Sequence, residues 1–219
     1  MYFERRKMFW FQAVGNLLMG ILDMAVGIFV VFFIGSLYGH DVGWAGYFLG
    51  AALGVSPDID LVYLLIRRGG FSENHHEYLT HRPIIGIPAA VLIGGLLGGW
   101  FWAFIAGICV CCHYVHDTKG FGGGGIAWFW PFSRFYYSPF GIGDPEQTKK
   151  VRNHHKAIER LMLSPSRKVI VENAIAAILI MIVGGNLWGW QIGFLLAGAF
   201  WVGIFTIWFL YSRYAVKSL

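Results

Sequence analysis

Long apolar stretches alternate along this chain with short polar, mostly basic segments. Apolar residues run through about 9–38, 43–66, 84–117, 169–187 and 190–211. A helix that crosses a bilayer needs roughly 20 residues, within a range near 17–25. The third stretch is too long for one crossing. Gly94, Gly95, Gly98 and Gly99 interrupt it midway, and glycine supplies the backbone freedom a reversal requires. The pattern therefore predicts a helix over 84–97, a turn, and a second helix over 100–117. A single long, tilted helix is the alternative.

Composition agrees with a membrane protein. Of 219 residues, 57% are hydrophobic and only 13% charged, against about 25% charged in soluble domains. The expected architecture is all-α and polytopic, with about six transmembrane helices in a single membrane domain over 1–219. The net charge of +5 brings no recognisable nucleic-acid motif, so no specific nucleic-acid partner is expected. The apolar run after ERRK is longer than a signal-peptide core and shows no convincing cleavage site, so a retained first span is expected. Cys109, Cys111 and Cys112 share one apolar stretch, where neighbours pair poorly as disulfides, and read as core packing.

Charge then orients the spans. With the N-terminus inside and six crossings, the inside segments are 1–8, 67–83, 118–168 and 212–219. The outside loops are roughly 39–43, 97–99 and 187–189. All 17 Lys and Arg residues fall in or beside inside segments, as cytoplasmic loops require. Both termini are then cytoplasmic. An unbroken third helix would put Lys119 and Arg134 outside. The expected subdivision is a metal-site core at 45–135, a cytoplasmic loop at 118–168 rich in glycine and aromatics, and a C-terminal helix pair at 169–211. Residues 144–164 read as an interfacial or loop helix.

Six metal-capable side chains occupy three short clusters, each at the end of an apolar stretch: Asp58 and Asp60 in SPDID, His76 and His81 in HHEYLTH, and His113 and Asp117 in HYVHD. Ionisable groups at a membrane are costly unless paired, hydrated or metal-bound. Six crossings bring all three clusters to the cytoplasmic edge at similar depth. An unbroken third helix would hold His113 about 45 Å from His81. His113 and Asp117, four apart, share a helical face. A mixed imidazole and carboxylate set suits one or two divalent ions, zinc first, with manganese or iron as alternatives. The bland readings are a helix-end turn for the aspartates, solvated loop histidines, and a His–Asp pair closing a helix. His116 reads as a surface or supporting residue, and His154 and His155 as solvated. Asp23, about 20 Å into the first span, reads as a helix-pairing group rather than a ligand.

In order, SPDID, HEYLTH, HYVHDTKG and WPFS resemble the motifs of the YdjM-like family of inner-membrane metal-dependent hydrolases. Pro57, Asp58 and Asp60 match its first motif, His76, Thr80 and His81 its second, His113, Asp117 and Thr118 its third, and Pro131, Phe132 and Ser133 its last. Glu77, Tyr78 and Arg82 depart from the family pattern, and Asn16 and Asp23 stand where many relatives carry a histidine. The resemblance implies a prokaryotic inner-membrane location and phosphoester chemistry. The expected function is a membrane-bound metal-dependent hydrolase acting on a phosphoester or lipid-like substrate at the cytoplasmic membrane edge. Glu77, or whichever aspartate stays free of the metal, would take a proton and Arg82 would hold a phosphate oxygen, with membrane lipid as the partner. The competing classes are a membrane protein with a structural metal, or a small transporter.

Overall fold

The computed structural model describes residues 2–68, 75–118, 125–138, 141–143 and 167–217. The expected helix at 144–164, with His154 and His155, lies outside them. Among the described residues, six α-helices carry the fold: α1 Tyr2–Tyr38, α2 Gly43–Gly54, α3 Ile59–Arg68, α4 Pro83–Asp117, α5 Arg167–Trp188 and α6 Trp190–Lys217. Of these, α1, α4, α5 and α6 contain segments long and apolar enough to cross a membrane. Among the described residues, extended pairing is confined to a small antiparallel ribbon of Tyr136–Ser138 with Gly141–Gly143, extended by a bridge between Ile126 and Tyr137.

The chain forms two compact units. One comprises residues 1–25 and 156–219. In it, Gly189 at φ 94° turns α5 into α6, and Leu18, Val169, Ile204 and Trp208 form the core. Asp23 and Asn173 are buried polar residues of this unit.

The second unit, residues 26–155, carries the candidate chemistry. Here α1 ends in paired hydrogen bonds, from Gly39 N–H to Ser36 O and from His40 N–H to Gly35 O. Gly39, at φ 66°, takes the left-handed conformation this terminating motif needs. The chain returns as α2, and the two helices meet backbone to backbone. A β-carbon on Gly27 would collide with the Gly50 carbonyl, the close small-residue approach that membrane helices use where no hydrophobic force drives association. Val30, Val31, Ile34, Phe101, Ile105 and Cys109 fill the core beside this crossing, which is where the cysteine reading placed Cys109.

The stretch 43–66 does not form one helix. It breaks into α2, a 3-10 turn at Ser56–Asp58, and α3. Pro57 lacks the N–H that would continue the ladder. With 12 residues, α2 spans only about 18 Å.

The third stretch reverses within the expected turn, between the helices expected at 84–97 and 100–117. Gly99 sits at φ 74°, ψ −170° inside α4, a conformation essentially restricted to glycine. The arms 83–98 and 100–117 then run antiparallel. A β-carbon on Gly94 would lie 2.6 Å from Trp102 O and 3.0 Å from Ala106 Cβ, and one on Gly107 would lie 2.8 Å from Val91. Each arm is about 24–27 Å long, and both open ends, Pro83 and Asp117, lie at the same end of the hairpin.

Gly99→Ala should therefore lower the unfolding free energy by about 1–3 kcal/mol, because open space surrounds its β-carbon position and only backbone strain changes. Chemical denaturation in detergent measures it, and an unchanged midpoint would refute a strained reversal. The six-crossing topology is open to single-cysteine labelling at residues 41, 98 and 188, all expected to react from outside the cytoplasm. Labelling of 98 from the cytoplasm alone would refute it.

Candidate metal centre

Three breaks in helical structure assemble the site. Asp58 closes the turn after Pro57, and Asp60 lies in the first turn of α3. Successive 3-10 turns at His75–Glu77 and Leu79–His81 carry His76 and His81 to the start of α4. The last turns of α4 hold His113 and Asp117, brought back to His81 by the reversal at Gly99.

Four donor atoms converge: Asp58 Oδ1, His81 Nε2, His113 Nε2 and Asp117 Oδ2, all within 4.8 Å of one another. Four of the six separations among them are N···O contacts. His81 Nε2 is 3.3 Å from Asp58 Oδ1 and 3.5 Å from Asp117 Oδ2. His113 Nε2 is 3.6 Å from Asp58 Oδ1 and 3.1 Å from Asp117 Oδ2. The edge of a regular tetrahedron is about 1.6 times its centre-to-corner distance, so zinc bonds of about 2.0–2.1 Å imply donors roughly 3.3 Å apart. The observed spacing brackets that value. Donor type, donor number and these four N···O separations suit a divalent ion.

A surrounding layer of hydrogen bonds aims these donors. His113 Nδ1 donates to the Gly54 carbonyl at the end of α2 (2.9 Å). A carbonyl only accepts, so the Nε2 lone pair faces the cluster. His81 Nδ1 donates to Asp60 Oδ2 (2.9 Å), which also accepts from Thr80 Oγ1 (2.6 Å). Asp60 thus lies behind His81 rather than among the four donors, in the carboxylate–histidine arrangement that orients a ligating imidazole and raises its basicity. Thr80 is held in turn by its own carbonyl, which accepts from Tyr114 Oη (2.6 Å). Gly86 leaves room for that phenol, since a β-carbon there would collide with the hydroxyl.

The electrostatics favour a cation. Burial opposes charge on His81, but hydrogen bonds with Asp58 and Asp60 and the charge of Asp117 outweigh it and raise its pKa to about 9. The carboxylates therefore call for positive charge at this point, which a proton on Nε2 or a divalent ion in its place provides. On His76 burial prevails and lowers the pKa, although Asp117 and Asp58 pull the other way.

His76 borders the group. Its Nδ1 donates to the Gly125 carbonyl (3.2 Å), its Nε2 stands 3.7 Å from Asp117 Oδ2, and its ring stacks on His81 with centroids 5.1 Å apart. Arg82 is buried, with Nη2 donating to the Glu77 carbonyl (3.0 Å) and to Tyr136 Oη (3.1 Å), and with its guanidinium 5.4 Å from the Tyr136 ring centre. The Glu77 side chain is exposed. His116 is not among the four converging donors, and Asp23 belongs to the other unit.

Residue spacing alone did not point to the supporting groups. Gly54, Gly125 and Thr80 act through main-chain carbonyls or a small hydroxyl, which leave little trace in a sequence. Two signals were available: Thr80 matches the second motif of the family resemblance, and Tyr114 is a phenol deep in an apolar helix that needs a hydrogen-bond partner.

A family model described as YdjM inner membrane protein matches residues 19–191, a span that contains every donor and supporting residue above. Neither a curated protein nor a solved structure matches the chain.

Replacing both His113 and Asp117 by Ala should abolish stoichiometric metal in the purified protein, as read by elemental analysis. Unchanged metal content would show that the cluster is not a metal site. Asp60→Asn should retain a metal site but weaken it by about 10–100-fold, the usual cost of removing an orienting group, measured by competition with a chromogenic chelator.

Proposed function

The chain belongs to the YdjM inner membrane protein family, and we propose that it is a membrane-bound, metal-dependent hydrolase of phosphoesters. It is an integral protein of the inner membrane. The observation that carries this reading is the set of four buried or half-buried donors with N···O separations of 3.1–3.6 Å, gathered at the open end of a helical hairpin. Zinc suits four tetrahedral N and O donors, whereas manganese and iron favour more ligands. Among the described residues one such donor group forms, so a single ion is the simplest occupancy.

A divalent ion held there would need one coordination position beyond the four protein donors to take a water, whose pKa it would lower while stabilising charge on an attacked phosphoryl group. In the overall reaction the water oxygen bonds to phosphorus, the ester P–O bond breaks, and the alcohol leaves with a proton. The protein has groups for each remaining task. Asp58, His81, His113 and Asp117 hold the ion, and Asp60 with Thr80 keeps His81 in the ligating tautomer. His76 Nε2 stands beside Asp117, with its other nitrogen committed to Gly125, where it can accept the proton from water. Glu77, facing solvent, is the alternative acceptor. Arg82 would reach a phosphate oxygen through Nη1, because Nη2 is engaged.

One observation favours a second reading. The four donors come from three separate segments, so an ion would also tie the turn after α2, the turn before α4 and the end of α4 together. A purely structural metal would do the same.

The two readings differ in turnover. Metal-loaded protein should hydrolyse at least one of a panel of soluble and lipid phosphoesters, and the Asp58→Asn, Asp60→Asn double variant should lose that activity. Metal that raises the thermal midpoint, with no metal-dependent turnover on any ester, would leave the structural reading standing and overturn the enzymatic one.

A further inference from the structure

The segment 125–137 has two unlike sides. Its rear is fastened to the neighbours of the metal donors. Gly125 O accepts from His76, Trp128 Nε1 donates to Thr118 Oγ1 (2.8 Å) beside Asp117, and the Trp128 ring meets Tyr114 edge-on at 6.3 Å beside His113. Tyr136 Oη accepts from Arg82, next to His81. Ile126 and Ala127 are completely buried, and Ile126 exchanges main-chain hydrogen bonds with Tyr137.

The front is apolar and, among the described residues, uncovered. Phe129, Phe132 and Phe135 are 59%, 89% and 52% exposed. Phe129 packs one edge against Tyr137, so its outward direction is fixed from behind. Arg134 lies exposed between the phenylalanines. The segment follows Asp117, the end of a helix apolar enough to cross a membrane.

Three outward phenylalanines on a firmly anchored loop are costly in water. At the boundary between acyl chains and headgroups they are stabilised, and aromatic side chains concentrate there. Arginine beside them suits lipid phosphate. We propose that this loop is a lip inserted into the cytoplasmic leaflet, which opens the metal centre sideways to the bilayer. The phosphoester it takes is then borne by a membrane lipid rather than dissolved in the cytosol. The substrate half of this proposal rests on the hydrolytic reading above, and the insertion half does not.

Photo-crosslinking separates the two halves. The full chain, with p-benzoylphenylalanine replacing Phe132, is placed in nanodiscs of phosphatidylethanolamine and phosphatidylglycerol and irradiated. Lipid adducts are expected at a yield comparable to that from Leu92, which is exposed on the first arm of the apolar α4 hairpin, and above that from Asp41 in a polar loop. Chain-to-chain adducts or none at all would overturn the lip, the former showing that a second copy covers this face. For the substrate, the triple variant Phe129→Ser, Phe132→Ser, Phe135→Ser is compared with wild type on phosphatidic acid and phosphatidylglycerol in nanodiscs and on soluble 4-nitrophenyl esters. The ratio of lipid to soluble turnover should fall by about tenfold or more. An unchanged ratio would overturn lipid delivery by the lip. Wild type inactive on every ester would sink the hydrolytic reading and the substrate half together, while the adducts still decide insertion.

Discussion

The reversal of the backbone at Gly99 is the constraint on which the candidate chemistry depends. Without it, α4 would be a rod of 35 residues, and His81 and Asp117 would stand at opposite ends, about 50 Å apart. With it, they are within 3.5 Å. Gly94 and Gly107 make the fold-back compact, because the arms approach too closely for side chains at those points. In a bilayer, where lipid tails compete equally well for apolar surface, such close packing is what holds helices together. The glycines that form the hairpin thus assemble the site indirectly, at a distance from it.

Assembly alone would leave three carboxylates in a poorly hydrated corner, which is unfavourable. The protein answers this by giving each imidazole one committed nitrogen. His113 is held by the C-terminal carbonyl of α2, His76 by Gly125 and His81 by Asp60. These partners belong to different segments, so the donors keep their geometry only when α2, the turns at 75–81, α4 and the loop at 125 are docked together. The chain from Tyr114 through Thr80 to Asp60 links the second arm of α4 to the turn before its first arm. The candidate metal geometry and the packing of this unit are therefore the same set of contacts seen from two sides. Arg82 extends the set to the aromatic loop through Tyr136, which makes the wall beside the donors part of the same assembly.

Much of this was legible from the sequence. Apolar stretches, basic segments and a run of glycines fixed an all-helical membrane protein and the need for a turn near residue 98. The grouping of Asp58, His81, His113 and Asp117 followed from that turn, since helix length is simple arithmetic once the turn is placed. Residues 43–66 were harder. Only the short polar run SPDID at 56–60 interrupts their apolar pattern, and Pro57 with its two aspartates is the one sign that the chain bends into a 3-10 turn and starts a new helix.

What the sequence by itself determined is the chemistry available and the end of the hairpin to which it is delivered. Those depend on residue type and on periodic spacing along one chain. Tertiary structure alone decided how the six candidate donors divide. Asp60 turned behind His81, His76 stayed at the border, and four atoms gathered within 4.8 Å of one another. Neighbouring carboxylates such as Asp58 and Asp60 are equivalent as letters. They become different only when the turn after Pro57 points one towards the shared space and the other towards the back of an imidazole. That choice is made by contacts between segments distant in sequence, and residue spacing carries no record of it.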